Sequence, residues 1–307
     1  MRRAQHVLVG RTAGAAARAA RPSISSVRPF FGYYANRVFK PFWGPPDDVE
    51  EPRAAEPNPP VVTLDDGRGS SGCTIRRGSE TPAVTVVFLH GMGDTCAGWE
   101  PVFRGAKDVG LSVRLPTQSK VILPTAFEIP VAYNYKQPTR AWFDVQDLDL
   151  SGPRDDAGLK HSAKRIHEVL AAEDPATKLF VGGFAQGGVV ALDVGLRSEL
   201  PNLAGVIGLS TYMLRAEDYP TKLSSCIAGR KFLLSHGSDD TNVRTVLGRS
   251  SHERLVELGL DSDFQCYGGL RHGVFAPQIE MISCFLAGQP YEQSGYIDEP
   301  YEDRWTD

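Results

Sequence analysis

The sequence lacks any apolar run long enough to cross a lipid bilayer, and it is poor in cysteine, with five in 307 residues. The cysteines are scattered and none forms a C-x-x-C pair, so we expect reduced thiols in an intracellular protein, with no zinc site and no disulfide framework. They are Cys73, Cys96, Cys226, Cys266 and Cys284. The hydrophobic share of 41% and the charged share of 23% predict one sizeable globular domain with tails.

Acidic residues are absent from the first 46 positions, which hold eight of the 33 Arg and Lys residues. All 37 acidic residues and the other 25 basic ones lie beyond, so the rest of the chain is acidic and indicates no basic patch for nucleic acid. Residues 1–28, rich in Arg, Ala and Ser, predict a mitochondrial presequence. The alternatives are a basic tail without a targeting role, in a cytoplasmic protein, and a tail that directs the protein to another organelle.

Aromatic residues crowd the two segments that flank the predicted domain at 61–287. Residues 29–60 hold seven large rings followed by a proline-rich linker, and residues 288–307 form an acidic tail with interleaved Tyr and Trp. Exposed rings on this scale need a surface to cover them. We therefore expect both segments to dock on protein partners, or to pack back on the domain.

Strand patterns alternate with helix patterns from residue 84 onward. The β-branched run at 84–89 is typical of a strand buried on both faces. Further strands are predicted at 121–124, 179–183, 204–209, 231–236 and 263–267, and helices at 99–109, 158–172, 187–196, 243–258 and 277–286. The alternation predicts a single α/β domain with a doubly wound, mostly parallel sheet. Residues 61–80 predict a short strand or hairpin, and 125–154 a long excursion without periodicity.

The segment Gly183-Phe184-Ala185-Gln186-Gly187 lies between a predicted strand and a predicted helix. This is the layout of the strand–elbow–helix turn that holds the serine of a G-x-S-x-G motif. Glycines flank the point of the elbow because the turn is tight and bulky neighbours would collide. The residue at that point is alanine, which has no oxygen and cannot attack an acyl carbon.

Two further positions complete the order nucleophile, acid, histidine that the elbow motif predicts. Asp240 follows the strand at 231–236, and His272 follows the strand at 263–267. His272 would be the general base and Asp240 would orient it, with Asp239 as the competing acid. The backbone N–H groups of Met92 and Gln186 would form an oxyanion hole, which does not depend on side-chain identity.

Several motifs in chain order resemble those of the acyl-protein thioesterase family, small carboxylesterases also described as lysophospholipases. They are H-G-M-G-D-T at 90–95, I-L-P at 122–124, R-A-W-F-D at 140–144, G-F-A-Q-G-G at 183–188 and G-G-L-R-H-G at 268–273. The resemblance covers about residues 84–286. It implies a single-domain α/β-hydrolase without cofactor or metal, which cleaves fatty-acyl thioesters or carboxyl esters beside an apolar acyl channel.

The resemblance also bears on individual residues. It aligns Asp240 with the catalytic acid and implies that Trp142 and Phe143 contribute to substrate binding. The family elbow reads G-F-S-Q-G-G, so Ala185 stands in place of the nucleophile, and two family prolines after the acid are replaced by Thr241 and Arg244. Loss of a triad serine costs roughly a million-fold in turnover.

Three hypotheses remain for this chain. It is a mitochondrial pseudoenzyme that serves as a structural or accessory subunit of a larger complex; the presequence, the aromatic segments and Ala185 favour this. Alternatively, it is an active serine (thio)esterase in which Ala185 is an engineered Ser-to-Ala change, as the intact Asp240 and His272 favour. Thirdly, it binds an acyl-chain ligand without cleaving it.

Overall fold

The computed structural model describes residues 61–65, 71–78, 81–106, 109–148 and 152–291. The predicted presequence at 1–28, the segment at 29–60 and the tail beyond residue 291 lie outside the described residues. Tyr291, the first aromatic residue of the predicted tail, donates a hydrogen bond to Asp263, so the described start of the tail lies against the domain.

The described part of the chain contains ten strands, which are β1 (Val61–Asp65), β2 (Ser71–Arg76), β3 (Val84–Leu89), β4 (Ser119–Pro124), β5 (Glu128–Val131), β6 (Gln137–Arg140), β7 (Lys178–Phe184), β8 (Leu203–Leu209), β9 (Lys231–Gly237) and β10 (Asp261–Tyr267). Strands β5 and β6 form a two-stranded sheet, and the other eight form one sheet in the order β1-β2-β4-β3-β7-β8-β9-β10. From β4 to β10 all neighbours in this sheet are parallel, whereas β2 pairs antiparallel with β1 and β4. The doubly wound, mostly parallel sheet is confirmed.

Five α-helices cover the two faces of the sheet in this part of the molecule. They are α1 (Cys96–Arg104), α2 (Asp156–Ala171), α3 (Gln186–Arg197), α4 (Thr245–Glu257) and α5 (Ala276–Ala287). Apolar residues of α2, α3 and α4 form one core cluster with the sheet. Those of α1 and α5 form a second cluster on the opposite face. Strand β3 supplies both clusters because its successive side chains point to opposite faces.

Helix α1 begins three residues earlier than predicted and ends five residues earlier. The Thr95 side chain accepts a hydrogen bond from the Ala97 N–H and caps the start of the helix. Gly105, with φ 80°, ends it in the left-handed conformation that glycine adopts without penalty. The apolar pattern that continues to Val109 therefore lies outside the helix.

The excursion predicted at 125–154 contains a β-hairpin, in which β5 and β6 pair antiparallel. The hairpin is tied to the loop after β3 by a backbone hydrogen bond, in which the Gly93 N–H donates to Arg140 O at 2.8 Å. A second bond, from the Tyr133 N–H to Val145 O at 2.7 Å, holds the turn of the hairpin to the segment that follows it. The first bond joins distant parts of the chain, which explains why local periodicity did not reveal the hairpin.

The expectation that all five cysteines are reduced is wrong for one pair. Cys73 in β2 and Cys96 at the start of α1 form a disulfide, with their Cα atoms 5.8 Å apart. The two residues are 23 positions apart in sequence and meet only because α1 packs beside β2. The antiparallel pairing of β1 with β2 confirms the hairpin predicted at 61–80.

Candidate active site

The elbow between β7 and α3 holds Ala185 in an unusual backbone conformation, with φ 49° and ψ −119°. This region is avoided by L-residues and persists only where neighbouring structure enforces it. The Ala185 N–H donates to Leu209 O at 2.9 Å, and the buried Thr211 hydroxyl donates to Ala185 O at 2.8 Å. The end of β8 therefore holds the elbow in place from the side.

The glycines of the elbow are required by close backbone contacts. A Cβ on Gly183 would lie 2.4 Å from the carbonyl carbon of Gly187, and one on Gly187 would lie 2.4 Å from Leu89 O. A Cβ on Gly188 would lie 2.6 Å from the Thr211 side chain. Such distances are below any that real Cβ atoms show, so the elbow sequence is dictated by the approach of α3 to β3 and β8.

Asp240 and His272 meet at the carboxyl ends of β9 and β10. The His272 Nδ1–H donates to Asp240 Oδ2 at 2.8 Å. The other carboxylate oxygen, Oδ1, accepts from the backbone N–H groups of Asn242 at 3.0 Å and Val243 at 2.9 Å. Asp239, the competing acid, is exposed and accepts from the Ser238 hydroxyl. The contacts thus pair His272 with Asp240.

His236, at the end of β9, supports this pair and was not assigned a role from the sequence. Its Nε2 lies 2.8 Å from Val243 O and 3.5 Å from Asp240 Oδ2, and its ring is buried. Burial disfavours a charge on Asp240, but the imidazoles of His236 and His272 outweigh it and hold the pKa of Asp240 below its usual range. The carboxylate is therefore ionised at neutral pH.

The loop after β3 brings Met92 to the same cavity as Ala185, Gln186 and His272. Among the described residues, neither the Met92 nor the Gln186 backbone N–H donates a hydrogen bond to the protein. For Gln186 this follows from its position at the start of α3, where backbone N–H groups have no partner within the helix. The two predicted oxyanion donors are thus placed at one cavity, with their N–H groups not used elsewhere in this part of the fold.

His90 is a second buried histidine near the cavity, and the sequence motif that it begins did not indicate a role for it. Its Nε2 accepts from the Ala126 N–H at 3.0 Å, so the ring proton lies on Nδ1, which donates to Gly91 O at 2.7 Å. Burial lowers the pKa of His90 to about 4, helped by the positive charges of Arg140 and Arg165 and opposed by the hydrogen bond to Gly91. A neutral His90 thereby fixes the first residue of the oxyanion loop.

Trp142 and Phe143 are buried behind the cavity, with exposures of 3% and 2%. The Gln186 side chain accepts from the Trp142 N–H at 2.8 Å and donates to Phe143 O at 2.7 Å. The Trp142 indole N–H donates to His90 O at 2.8 Å. These contacts connect the elbow with the oxyanion loop. A direct contact of the two rings with substrate stays a prediction, because neither is among the described residues that line the cavity.

The cavity at the elbow has a volume of about 240 Å³. Most of its wall is apolar or aromatic, from Tyr133, Val145, Leu148, Phe184, Tyr212 and Val243. Asp94 also lines it, and burial raises the pKa of this carboxyl against the opposing hydrogen bond from the Thr95 backbone. An apolar pocket with a few convergent polar groups is the usual form of a small-molecule site.

Within the described ranges, no cluster of three or more His, Cys, Asp or Glu side chains could hold a metal ion. None of the helices in that part of the chain is both long and apolar enough to span a bilayer.

Comparison with known proteins places this site in a family. The profile of the phospholipase/carboxylesterase family matches residues 71–289. Acyl-protein thioesterase 1 of Mycosarcoma maydis is 34% identical over 229 residues, 68% of this chain and 92% of that protein. Acyl-protein thioesterase 1 of Gibberella zeae is 30% identical over 216 residues, 67% of this chain and 90% of that protein.

Solved structures show the same fold. The crystal structure of Zea mays acyl-protein thioesterase 2 superimposes with a TM-score of 0.61 at 28% identity, covering 70% of this chain and 96% of that one. The Bacillus cereus carboxylesterase, at 14% identity, shares the fold with a TM-score of 0.55 over 71% of this chain and 94% of that one. The predicted α/β-hydrolase fold is confirmed.

Proposed function

Because the chain belongs to the phospholipase/carboxylesterase family, we propose that it is an acyl-protein thioesterase-like pseudoenzyme that lacks the nucleophile of serine hydrolysis. The observation that carries the proposal is the methyl group of Ala185 at the point of the elbow, in the cavity that His272, the partner of Asp240, also lines. Residues 184 and 186 are Phe and Gln, so no adjacent hydroxyl can replace the missing one. Ser210, near the elbow, is fully buried.

The remaining residues keep roles that do not need the serine. Asp240 orients His272, and the N–H groups of Met92 and Gln186 receive the carbonyl oxygen of a bound acyl group. The apolar cavity supports an acyl chain as the ligand, which is the class of group that the names of the thioesterase relatives indicate for those proteins. Binding is retained in this proposal, whereas formation of an acyl-enzyme is not.

The Ala185→Ser variant tests this proposal. As written, the chain should not react with a fluorophosphonate probe, because the probe needs an activated serine. Ala185→Ser should become labelled and should hydrolyse a p-nitrophenyl acyl ester, and Ala185→Ser combined with His272→Ala should do neither. Labelling of the unaltered chain would contradict the proposal. A folded Ala185→Ser protein without any turnover would mean that the cavity no longer admits an acyl group.

A structural or accessory role in a larger mitochondrial complex is the second part of the proposal. Its support is compositional: the basic, acid-free start of the chain and the aromatic segments at 29–60 and 288–307. Removing residues 1–60 or 289–307 should release the protein from a large complex on a sizing column. Monomeric elution of the full chain and of both truncations would remove this part of the proposal.

An active serine (thio)esterase carrying a substitution at position 185 is the alternative function. The ordered Asp240–His272 pair and the open cavity favour it, since both are what a serine at the elbow would require. Sequencing the native gene at position 185 decides between the two. A serine there would establish the alternative.

A further inference from the structure

We propose that the cavity at the elbow takes an acyl group that carries a hydroxyl or keto oxygen on one of its first carbons, and that the Tyr212 hydroxyl donates a hydrogen bond to that oxygen. The inference rests on the proposed function in one respect, namely that an acyl group binds beside Ala185. It goes further because it names the class of acyl group and the side chain that recognises it.

The Tyr212 hydroxyl is a buried donor without a partner in the described part of the chain. The residue is 7% exposed and lines the cavity. None of the described residues forms a hydrogen bond with this hydroxyl, and burial raises its pKa, so the phenol is protonated at neutral pH. Buried tyrosine hydroxyls usually have a hydrogen-bond partner, because an unpaired one loses the bond that water would give it.

The hydroxyl is open to a cavity rather than sealed in the protein. The Ser210 hydroxyl, two residues earlier, is also unpaired and is enclosed by protein atoms, whereas the Tyr212 hydroxyl is not among the enclosed polar atoms of the described residues. Tyr212 borders both the elbow cavity and a second cavity of about 50 Å³, which is far too small for an acyl chain. An acyl group in the elbow cavity therefore lies against the Tyr212 ring and supplies the missing partner.

The backbone around Tyr212 is held on both sides, so the ring is positioned before a ligand binds. The Thr211 hydroxyl donates to Ala185 O at 2.8 Å, and the Met213 N–H donates to Ser251 Oγ at 2.7 Å. The first of these contacts places Tyr212 one residue from the elbow. An acyl group whose carbonyl lies at the elbow therefore has its first carbons, and not its far end, beside this ring. A donor that is already positioned costs little entropy when the ligand binds.

The side chain of Asn242 supplies the acceptor that a ligand hydroxyl also needs. It lines the same cavity and makes no hydrogen bond with the described residues, whereas the Asn242 backbone N–H donates to Asp240 Oδ1 at 3.0 Å. A side-chain amide has both donors and an acceptor. A ligand hydroxyl thus accepts from Tyr212 and donates to Asn242, while the apolar part of the wall covers the hydrocarbon.

The experiment measures the binding of three amide probes to the full chain by isothermal titration calorimetry. The probes are N-acetyl-N′-octanoyl-ethylenediamine and its 3-hydroxyoctanoyl and 8-hydroxyoctanoyl counterparts, whose amide bonds resist cleavage. We expect the 3-hydroxy probe to bind about five- to ten-fold more tightly than the octanoyl probe, the worth of one net hydrogen bond. The 8-hydroxy probe, which has the same composition, should show no such gain.

Two variants assign the preference to one hydroxyl. Tyr212→Phe removes only that oxygen, and the preference for the 3-hydroxy probe should fall to about one-fold. The control Tyr135→Phe changes a tyrosine that is 72% exposed and does not line the cavity, and it should leave the preference unchanged. A preference that persists in Tyr212→Phe would overturn the inference, because the hydroxyl would then face the second cavity. If Tyr212→Phe fails to fold, the difference between the two hydroxy probes in the unaltered chain decides.

The remaining outcomes separate this inference from the proposed function. Equal binding of the octanoyl and 3-hydroxy probes, or an equal gain from the 8-hydroxyl, would refute the inference and leave the proposed function intact, since an acyl group still binds. Absence of binding by all three probes would remove both the inference and the acyl binding in the proposed function. Fluorophosphonate labelling of the unaltered chain would contradict the pseudoenzyme proposal but not the role of Tyr212.

Discussion

The strained elbow at Ala185 makes a quantitative prediction about stability. With φ 49° and ψ −119°, this residue occupies a backbone region that costs on the order of 1–3 kcal/mol for a residue with a Cβ. Glycine has no such penalty. We therefore expect Ala185→Gly to cost much less stability than the same substitution at an unstrained buried site.

Ala191 provides the matched control, since it is fully buried in α3, the helix that follows the elbow, and is not among the residues with positive φ. At either site, loss of a buried methyl group costs about 0.8 kcal/mol. The flexible glycine backbone costs roughly a further 0.5–1 kcal/mol. Ala191→Gly should therefore destabilise the protein by about 1.5 kcal/mol, given these two losses. At Ala185 the same losses are offset because glycine removes the backbone strain. The free energy of unfolding of Ala185→Gly should therefore be close to that of the unaltered chain or higher.

Urea denaturation of the two variants and the unaltered chain measures both free energies of unfolding. The difference between the variants should be about 1–3 kcal/mol in favour of Ala185→Gly. Equal destabilisation of the two would refute the reasoning, because it would mean that the elbow stores no backbone strain.

Two further substitutions test the supports of the site. The folded pKa of Asp240 lies below its usual range, so its carboxylate stabilises the fold above pH about 4, and this stability is lost as pH falls through the folded pKa. Asp240→Asn should lower the free energy of unfolding at pH 7, and the difference in this free energy from the unaltered chain should become smaller below pH about 4. The control Asp239→Asn, at an exposed residue, should show neither effect. A difference for Asp240→Asn that does not change with pH would contradict this account. Gln186→Ala should leave the Trp142 N–H and the Phe143 carbonyl unpaired and cost at least about 2 kcal/mol in thermal or urea unfolding; a cost near zero would show that these groups find other partners.

The strands and helices could be predicted because a strand that is buried on both faces has a continuous run of apolar residues, which is visible in the local sequence. The strand at 84–89 was predicted with the bounds that the structure has, since its β-branched run is continuous. The order of strand ends likewise predicted that Asp240 and His272 would meet. Helix α1 was placed too late because its apolar pattern outweighed the capping signals of Thr95 and Gly105, which were present in the sequence.

What escaped prediction depends on contacts between distant parts of the chain. The Cys73–Cys96 disulfide joins residues whose spacing carries no signal. The hairpin of β5 and β6 is tied to the loop after β3, so its formation could not be read from local periodicity. The supporting roles of His90 and His236 also depend on contacts with residues that the local sequence does not indicate. Both lie at or next to the end of a strand, and His90 also begins the H-G-M-G-D-T motif, so their position was the available signal.

The oxyanion donors predicted at Met92 and Gln186, two residues that line the cavity, are main-chain groups, and this affects how the protein can change over generations. Apart from a change to proline, no substitution removes a backbone N–H group. These donors are therefore retained as long as the fold is retained. Every alanine codon becomes a serine codon by a change of its first base. Under the proposed function, a single base change at position 185 therefore separates the form without the nucleophile from a form with it, and the rest of the site does not have to be rebuilt.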